Sequence, residues 1–312
     1  MQLKNLLKRH HSELALLIGN GINRYQSQAN NNSWDALLRT LARQHLPDFG
    51  GQVPSGISLT EFYDVLELGL RGQSTDGHQR HTDLLSLQQQ FCRLMADWKV
   101  MPQHRRIMQW AARHACPVLT TNFEHTLSLS VEARAYRNAT SAFTDYYPWE
   151  TYFSSQELAH PCAGFGIWHI NGMQKYHRSI RLGLTHYMGS VERARARLHK
   201  GSQRLSAGGD IQSWEGAATW LQILFHKPLL IIGLSLAENE VFLRWLLIER
   251  AKYYKDFPLR KQAAWYVHTE HERDLGKLYF LQAVGVQSVM VPDYDTIYGA
   301  ETWQVNANQE RE

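Results

Sequence analysis

The chain contains little cysteine, with only three cysteines among its 312 residues. No two of them form a Cys-x-x-Cys pair, so the sequence excludes both the disulfide framework of a small secreted domain and a four-cysteine zinc site. A chain without structural disulfides is typical of a reducing compartment. We therefore expect a cytoplasmic protein that binds no metal.

Long hydrophobic runs and a strong charge of one sign are also missing. The longest apolar run, Pro228 to Ile232 and slightly beyond, is far too short to span a bilayer, and the basic N-terminus lacks the apolar core of a signal peptide. The formal net charge of +4 gives no indication of direct nucleic-acid binding. One basic cluster predicts either a solvated helix face or a basic lip that attracts an anionic ligand, and it comprises Arg193, Arg195, Arg197, His199, Lys200 and Arg204.

The sequence does contain a regular alternation of apolar runs with helix-length amphipathic segments. Alternating strands and helices favour an α/β fold, a Rossmann-like parallel sheet with helices on both faces. The predicted strands are Leu14–Ile18, Pro117–Thr120, Gly166–Ile170, Pro228–Ile232, Ala263–His268 and Gln287–Val291.

Three other segments complete the predicted organisation of one domain over residues 1–292. Residues 30–115 exceed a simple crossover between strands and predict a helical insertion or cap over the sheet. Residues Tyr136–Pro161 are rich in aromatic and polar groups without clear periodicity, which predicts an irregular insertion. Residues 293–312 predict a polar C-terminal tail.

The first predicted strand runs into a glycine loop, Gly19-Asn20-Gly21-Ile22-Asn23. Glycines at such a position let backbone N–H groups approach phosphate oxygens. Only two of the glycines of the dinucleotide fingerprint are present, so the loop alone is equally consistent with a simple turn.

The second predicted strand ends in Thr120-Thr121-Asn122-Phe123-Glu124. Polar side chains at the carboxyl end of a parallel strand lie where open α/β sheets bind ligands. Asn122 can hold ribose hydroxyls or orient a water, whereas the alternative for Thr121 or Asn122 is to cap the next helix. Glu124 either belongs to the same site or faces the start of that helix.

The third and fourth strand ends carry further polar groups. In Trp168-His169-Ile170-Asn171-Gly172, the period of two puts His169 and Asn171 on one side of the strand. A histidine there is either an acid/base group or a structural hydrogen-bonding group. The fourth end, Gly233-Leu234-Ser235, places a hydroxyl beside a glycine, and acidic residues follow it at a helix start, where they also suit the helix dipole.

Together, in this order and spacing, the four strand ends resemble the Sir2 family, and within it the Sir2-like domains of bacterial antiphage defence. The resemblance covers residues 12 to about 292. It implies a site for NAD in which Asn122 and His169 are the catalytic pair. It also implies that the residues binding the cofactor are Gly19, Asn20, Gly21, Asn23, Thr121, Asn171, Gly233 and Ser235.

Two departures from the family pattern narrow the expected activity. The zinc cysteines of the deacylase sirtuins are missing, so the resemblance favours an NAD glycohydrolase that depletes NAD over a protein deacylase. The family's catalytic histidine directly precedes a glycine, but here Asn171 occupies that position. Either His169 takes over as the base, or the protein binds NAD without cleaving it. Control by homo-oligomerisation or by a partner protein of a defence system is expected, because a constantly active NADase would be toxic.

Overall fold

A computed structural model describes residues 3–27, 32–73, 87–138, 142–237 and 240–304 of the chain. It contains one eight-stranded sheet. The strands are β1 Ala15–Ile18, β2 Val118–Thr120, β3 Arg134–Arg137, β4 Thr151–Ser154, β5 Ile167–His169, β6 Leu229–Ile232, β7 Ala264–Thr269 and β8 Gln287–Val291. All six predicted strands are confirmed, with ends that shift by at most one residue.

The strand order in the sheet is β3-β4-β5-β2-β1-β6-β7-β8. The six predicted strands pair in parallel, from β5 through β1 to β8. The antiparallel pairings join β3 to β4 and β4 to β5. From β1, the chain builds outward first through β2 and β5 and then through β6, β7 and β8 on the other side. The carboxyl ends beside β1 therefore form the switch point at which open α/β sheets bind ligands.

Helices cover both faces of the sheet, which confirms the predicted α/β class. The helices are α1 Leu3–His10, α2 Gly21–Arg24, α3 Trp34–His45, α4 Leu59–Gln73, α5 (87–94, the described part), α6 Pro102–Arg113, α7 Thr126–Leu129, α8 Leu184–His199, α9 Leu221–His226, α10 Val241–Asp256, α11 Leu275–Ala283, α12 Tyr294–Tyr298 and α13 Ala300–Trp303.

The alternation of side chains along β1 explains the two sheet cores. Leu16 and Ile18 pack on one face with apolar residues of α1, α6, α12 and α13, whereas Ala15 and Leu17 pack on the other with residues of α8, α9 and α10. Because β1 is buried on both faces, it reads as a continuous apolar run rather than an alternating one.

Helices α3, α4 and α5 form a third layer with a core of its own. Leu38, Leu41, Leu66 and Phe91 are buried in that core, which also includes Phe123 from the loop after β2. The Ser33 hydroxyl accepts a hydrogen bond from the Ala36 N–H at 3.2 Å and caps α3. This layer stands over the carboxyl end of the sheet and supplies one wall of the site.

The expectation of an irregular insertion at Tyr136–Pro161 is only partly right, because the segment also contains the end of β3 and all of β4. Strand β3 pairs antiparallel with β4, and β4 pairs with β5, so these two strands extend the sheet. Strand β3 has the sequence Arg-Ala-Tyr-Arg and is half-exposed at the sheet edge. Because β3 is only four residues long and begins and ends with arginine, its sequence does not show the alternation of apolar and polar residues that predicts a strand.

The expectation of a polar tail is wrong for residues 294–303. Helices α12 and α13 bury Tyr298 and Trp303 in the core beneath the sheet. The Trp303 ring packs edge-on against Trp110 of α6 with a centroid separation of 5.3 Å. Residues 305–312 lie outside the described part of the chain.

The basic cluster lies on and after α8, and two of its arginines stack on aromatic rings. The Arg193 guanidinium lies 4.2 Å from the centroid of the Tyr147 ring, and the Arg197 guanidinium 5.1 Å from that of Trp149. These contacts pin the β3–β4 connection to α8. Across the described residues, no helix is both long and apolar enough to cross a membrane.

Candidate functional site

A cavity of about 510 Å³ opens at the carboxyl ends of β1, β2, β5 and β6, beneath the helical layer of α3 and α5. It lies at the switch point of the sheet. The structure brings seven of the predicted site residues together on its wall, namely Asn20, Gly21, Thr121, Asn122, Asn171, Gly233 and Ser235. Gly19, Asn23 and His169 lie outside that wall as it is formed by the described residues.

The glycines allow the loops after β1 and β6 to touch. A Cβ atom on Gly19 would lie 2.4 Å from the Gly233 carbonyl oxygen, and one on Gly21 would lie 2.7 Å from the Gly233 Cα. The Gly21 N–H donates to that same carbonyl oxygen at 2.9 Å, and the Gly19 N–H donates to the Ile232 carbonyl at 3.0 Å. The glycines thus join two loops at the cavity floor, and both amide groups are already used within the protein.

Asn122 and Asn171 present side-chain oxygens at the cavity wall. Both residues are almost fully buried, with 5% and 4% of their surface exposed. The Oδ1 atoms of both lack a hydrogen-bond partner among the described residues. A buried polar atom is costly to leave unpaired, so these two oxygens indicate the position of a polar ligand.

Backbone contacts fix both asparagines. The Asn122 N–H donates to the Thr120 hydroxyl at 3.1 Å, and the Asn171 carbonyl accepts from the Arg181 N–H at 2.9 Å. Helix α7 begins after His125, so neither Thr121 nor Asn122 caps it. Of the two interpretations of this strand end, the helix cap is therefore wrong.

Glu124 is buried behind Asn122 and also reaches the cavity. Its Oε1 accepts hydrogen bonds from the Asn23 side-chain amide at 2.9 Å and from the Thr126 hydroxyl at 3.0 Å. Burial raises the pKa of this carboxyl group, and these hydrogen bonds offset only part of the rise. Asn23 also donates to the Asn20 side-chain oxygen at 2.8 Å. Through Asn23, the Glu124 carboxyl group therefore joins the loop after β2 to the loop after β1.

His169 lies beneath the cavity wall rather than on it. Its ring is 2% exposed and packs against His125 and Phe153. Its Nδ1 lies 2.7 Å from the Asn122 main-chain carbonyl oxygen. Burial and, to a smaller extent, the neighbouring His125 lower the pKa of His169 to about 3, so the ring is neutral at physiological pH.

Other residues of the site were missed in the sequence because they lie on separate elements. Trp34, Phe91 and Trp98 come from the helical layer and make one end of the cavity aromatic, together with Phe123. The Trp34 and Phe91 rings each meet the Phe123 ring edge-on, at centroid separations of 6.4 and 6.1 Å. These aromatic residues are present in the sequence, but no local pattern places them against a strand end more than 20 residues away.

A second acid lines the cavity. Glu240 precedes α10 and lines the cavity with Tyr187 of α8. Burial raises the pKa of Glu240 to about 7 and that of Tyr187 well above its ordinary value. The sequence placed Glu240 at a helix start, but it gave no sign that the acid faces the cavity.

Comparison with known proteins assigns no family. No protein-family model matches the chain, and no curated protein matches it. The resemblance to the Sir2 family therefore depends on the four strand ends themselves. Across the described residues, no group of three or more His, Cys, Asp or Glu side chains is arranged to hold a metal ion.

Proposed function

We propose that the protein binds NAD in this cavity and cleaves the nicotinamide–ribose bond with water, as a Sir2-like NAD glycohydrolase. The observation that carries the proposal is the pair of unpaired Oδ1 atoms of Asn122 and Asn171, buried at the switch point of a parallel sheet. Amide oxygens there can accept hydrogen bonds from ribose hydroxyls or from a water.

The rest of the cavity suits the other parts of a dinucleotide. The aromatic end formed by Trp34, Phe91 and Phe123 suits a flat ring, and the exposed Ser235 hydroxyl beside Gly233 suits the diphosphate or the adenosine half. The acids Glu124 and Glu240 on the wall suit, in their ionised form, the positive charge that develops on the ribose when its bond to nicotinamide breaks.

The proposed reaction needs little general acid or general base catalysis. The bond between the nicotinamide nitrogen and the ribose C1′ breaks with both electrons moving to nicotinamide, which leaves as a neutral molecule. Water then forms the new bond to C1′ and releases one proton, giving ADP-ribose. The protein has to orient the ribose and the water, and Asn122 is the side chain best placed to do so.

An NADase of this kind would act by depleting cellular NAD. On the strength of the Sir2 resemblance, we propose a role as an effector of bacterial antiphage defence, switched on by oligomerisation or by a partner protein. A reducing, cytoplasmic location belongs to the same proposal, because NAD is the substrate there.

A second function, NAD binding without cleavage, is favoured by one specific observation. Asn171 is on the cavity wall at the position of the family's catalytic histidine, while His169 is beneath the wall. In this case the chain would be a nucleotide-sensing or regulatory subunit.

Two measurements on the purified protein separate these functions. NAD binding is measured by calorimetry, and nicotinamide release by chromatography, in the monomeric and in any oligomeric fraction. We expect Asn122→Ala to lower nicotinamide release by about 10²-fold, the cost of removing one oriented polar group from a transition state. Asn5→Ala, on the exposed side of α1, is the matched control and should change neither measurement.

The possible outcomes are distinct. Release that depends on Asn122 supports the glycohydrolase. Tight binding without release in every fraction supports the second function and rejects the first. Absence of binding rejects both.

A further inference from the structure

The tautomer of His169 is fixed by its contact with Asn122. The His169 Nδ1 lies 2.7 Å from the Asn122 carbonyl oxygen, and a carbonyl oxygen can only accept. The Nδ1 atom therefore carries the hydrogen and donates it. In the neutral ring, Nε2 is then the atom with the lone pair.

The tautomer of the neighbouring His125 is also fixed, in this case by a hydrogen-bond donor. Its Nε2 lies 3.1 Å from the Lys175 main-chain nitrogen, whose N–H can only donate. The hydrogen of the neutral His125 ring must therefore be on Nδ1. Burial lowers the pKa of His125 to about 4, so this ring is also neutral at physiological pH.

The two rings pack against each other. They meet edge-on with a centroid separation of 5.5 Å, and the Phe153 ring packs against both. Within the described residues, the His125 Nδ1 and the His169 Nε2 each lack a hydrogen-bond partner, so the two rings are in contact without being hydrogen-bonded to each other. Nδ1 is therefore the ring nitrogen that ties His169 to the Asn122 segment.

We propose that His169 is a positioning residue, which holds the Asn122 segment in place through the Nδ1 hydrogen bond to its carbonyl oxygen, while His125 and Phe153 pack against the His169 ring. This inference rests on the proposed function, because it takes Asn122 as the residue that contacts NAD. It replaces the expected role of His169 as the base that activates water.

Burial and neighbouring charge support this assignment. A base must reach the reacting water, but His169 is not on the described cavity wall, whereas Asn122 is. Burial is the main cause that lowers the pKa of both rings, and the charge of Lys175 adds to it at His125, as the neighbouring His125 does at His169. Neither ring should therefore titrate between pH 5.5 and 8.

Three substitutions at His169 separate positioning from base catalysis. The side-chain amide of Asn reaches about as far as Nδ1 and can donate to the Asn122 carbonyl, whereas the amide of Gln extends toward the position of Nε2. We expect His169→Asn to keep kcat for nicotinamide release within about 5-fold of the wild type. His169→Gln and His169→Ala should each lower it by about 10²-fold. His11→Asn, at an exposed histidine between α1 and the amino end of β1, is the matched control.

A base gives a different pattern. No amide accepts a proton at neutral pH, so under base catalysis all three substitutions would lower kcat equally. An equal loss in the Asn and Ala variants, with both variants folded by circular dichroism, overturns the proposal.

The tautomers can be tested without NAD. Nitrogen NMR of the ¹⁵N-histidine-labelled protein should show hydrogen on Nδ1 of both His169 and His125, unchanged between pH 5.5 and 8. Hydrogen on Nε2 of His169, or titration of His169 in this range, overturns the proposal. If the wild type neither binds nor cleaves NAD, the proposed function fails, while the NMR measurement still decides the hydrogen-bonding arrangement of the pair.

Discussion

Glu124→Gln is expected to stabilise the protein at neutral and alkaline pH, although it alters a buried residue of the site. Glutamine has nearly the same shape, and its side-chain oxygen can keep both hydrogen bonds that Oε1 accepts, from Asn23 at 2.9 Å and from Thr126 at 3.0 Å. The substitution therefore removes mainly the ionisation of a buried carboxyl group.

The sign follows from the direction of the pKa shift. Burial raises the pKa of Glu124 in the folded protein above its unfolded value, so the folded state holds its proton more tightly. The stability that this proton contributes is fully present below about pH 4.5 and is lost as pH rises toward the raised pKa. Each unit by which the pKa is raised costs the wild type about 1.4 kcal/mol at high pH. The glutamine variant avoids that cost.

Urea unfolding followed by tryptophan fluorescence, repeated from pH 5 to pH 8, measures the effect. The free energy of unfolding of Glu124→Gln minus that of the wild type should become more positive as pH rises across this range. Glu301→Gln, an exposed acid on α13, is the control and should show no such trend. A difference that is independent of pH, or one that falls with pH, would refute the reasoning.

Three other predictions concern the loops, the histidines and the C-terminal helices. Gly19→Ala should abolish NAD binding and lower the melting temperature, because its Cβ would lie 2.4 Å from a neighbouring carbonyl oxygen, whereas Gly50→Ala, with open space around it, should do neither. The free energy of unfolding should fall as pH drops from about 6.5 to 4, because burial lowers the pKa of several histidines that gain a proton on unfolding; urea titrations measure it. These histidines are His104, His125, His169, His186 and His226. Trp303→Ala should cost about 3 kcal/mol of unfolding free energy, whereas Leu259→Ala at a fully exposed position should cost almost nothing; equal costs would contradict the packing of α13.

The central sheet could be predicted because its strands are buried on both faces. Runs such as Leu229–Ile232 have no polar residue to interrupt them, and the only stable setting for several such runs alternating with helices is a covered parallel sheet. The edge strand β3 could not be predicted, because half-exposed Arg134 and Arg137 satisfy no strand pattern. Its partner β4 depends on pairing with a strand that is distant in sequence.

The sequence by itself determined which residues stand at the strand ends, and parallel strands bring their carboxyl ends to one edge. That is why Gly21, Asn122, Asn171 and Gly233 could be expected together before any coordinates were known. A period of two also placed His169 and Asn171 on the same side of the chain, but it could not say how deep each one lies.

Only the tertiary structure decided that depth. Asn171 reaches the cavity, whereas His169 is covered by Asn122 and His125 from the loop after β2 and by Phe153 from β4. Burial and hydrogen-bond partners are properties of the packed molecule, and they set the pKa and the tautomer that separate a base from a positioning group.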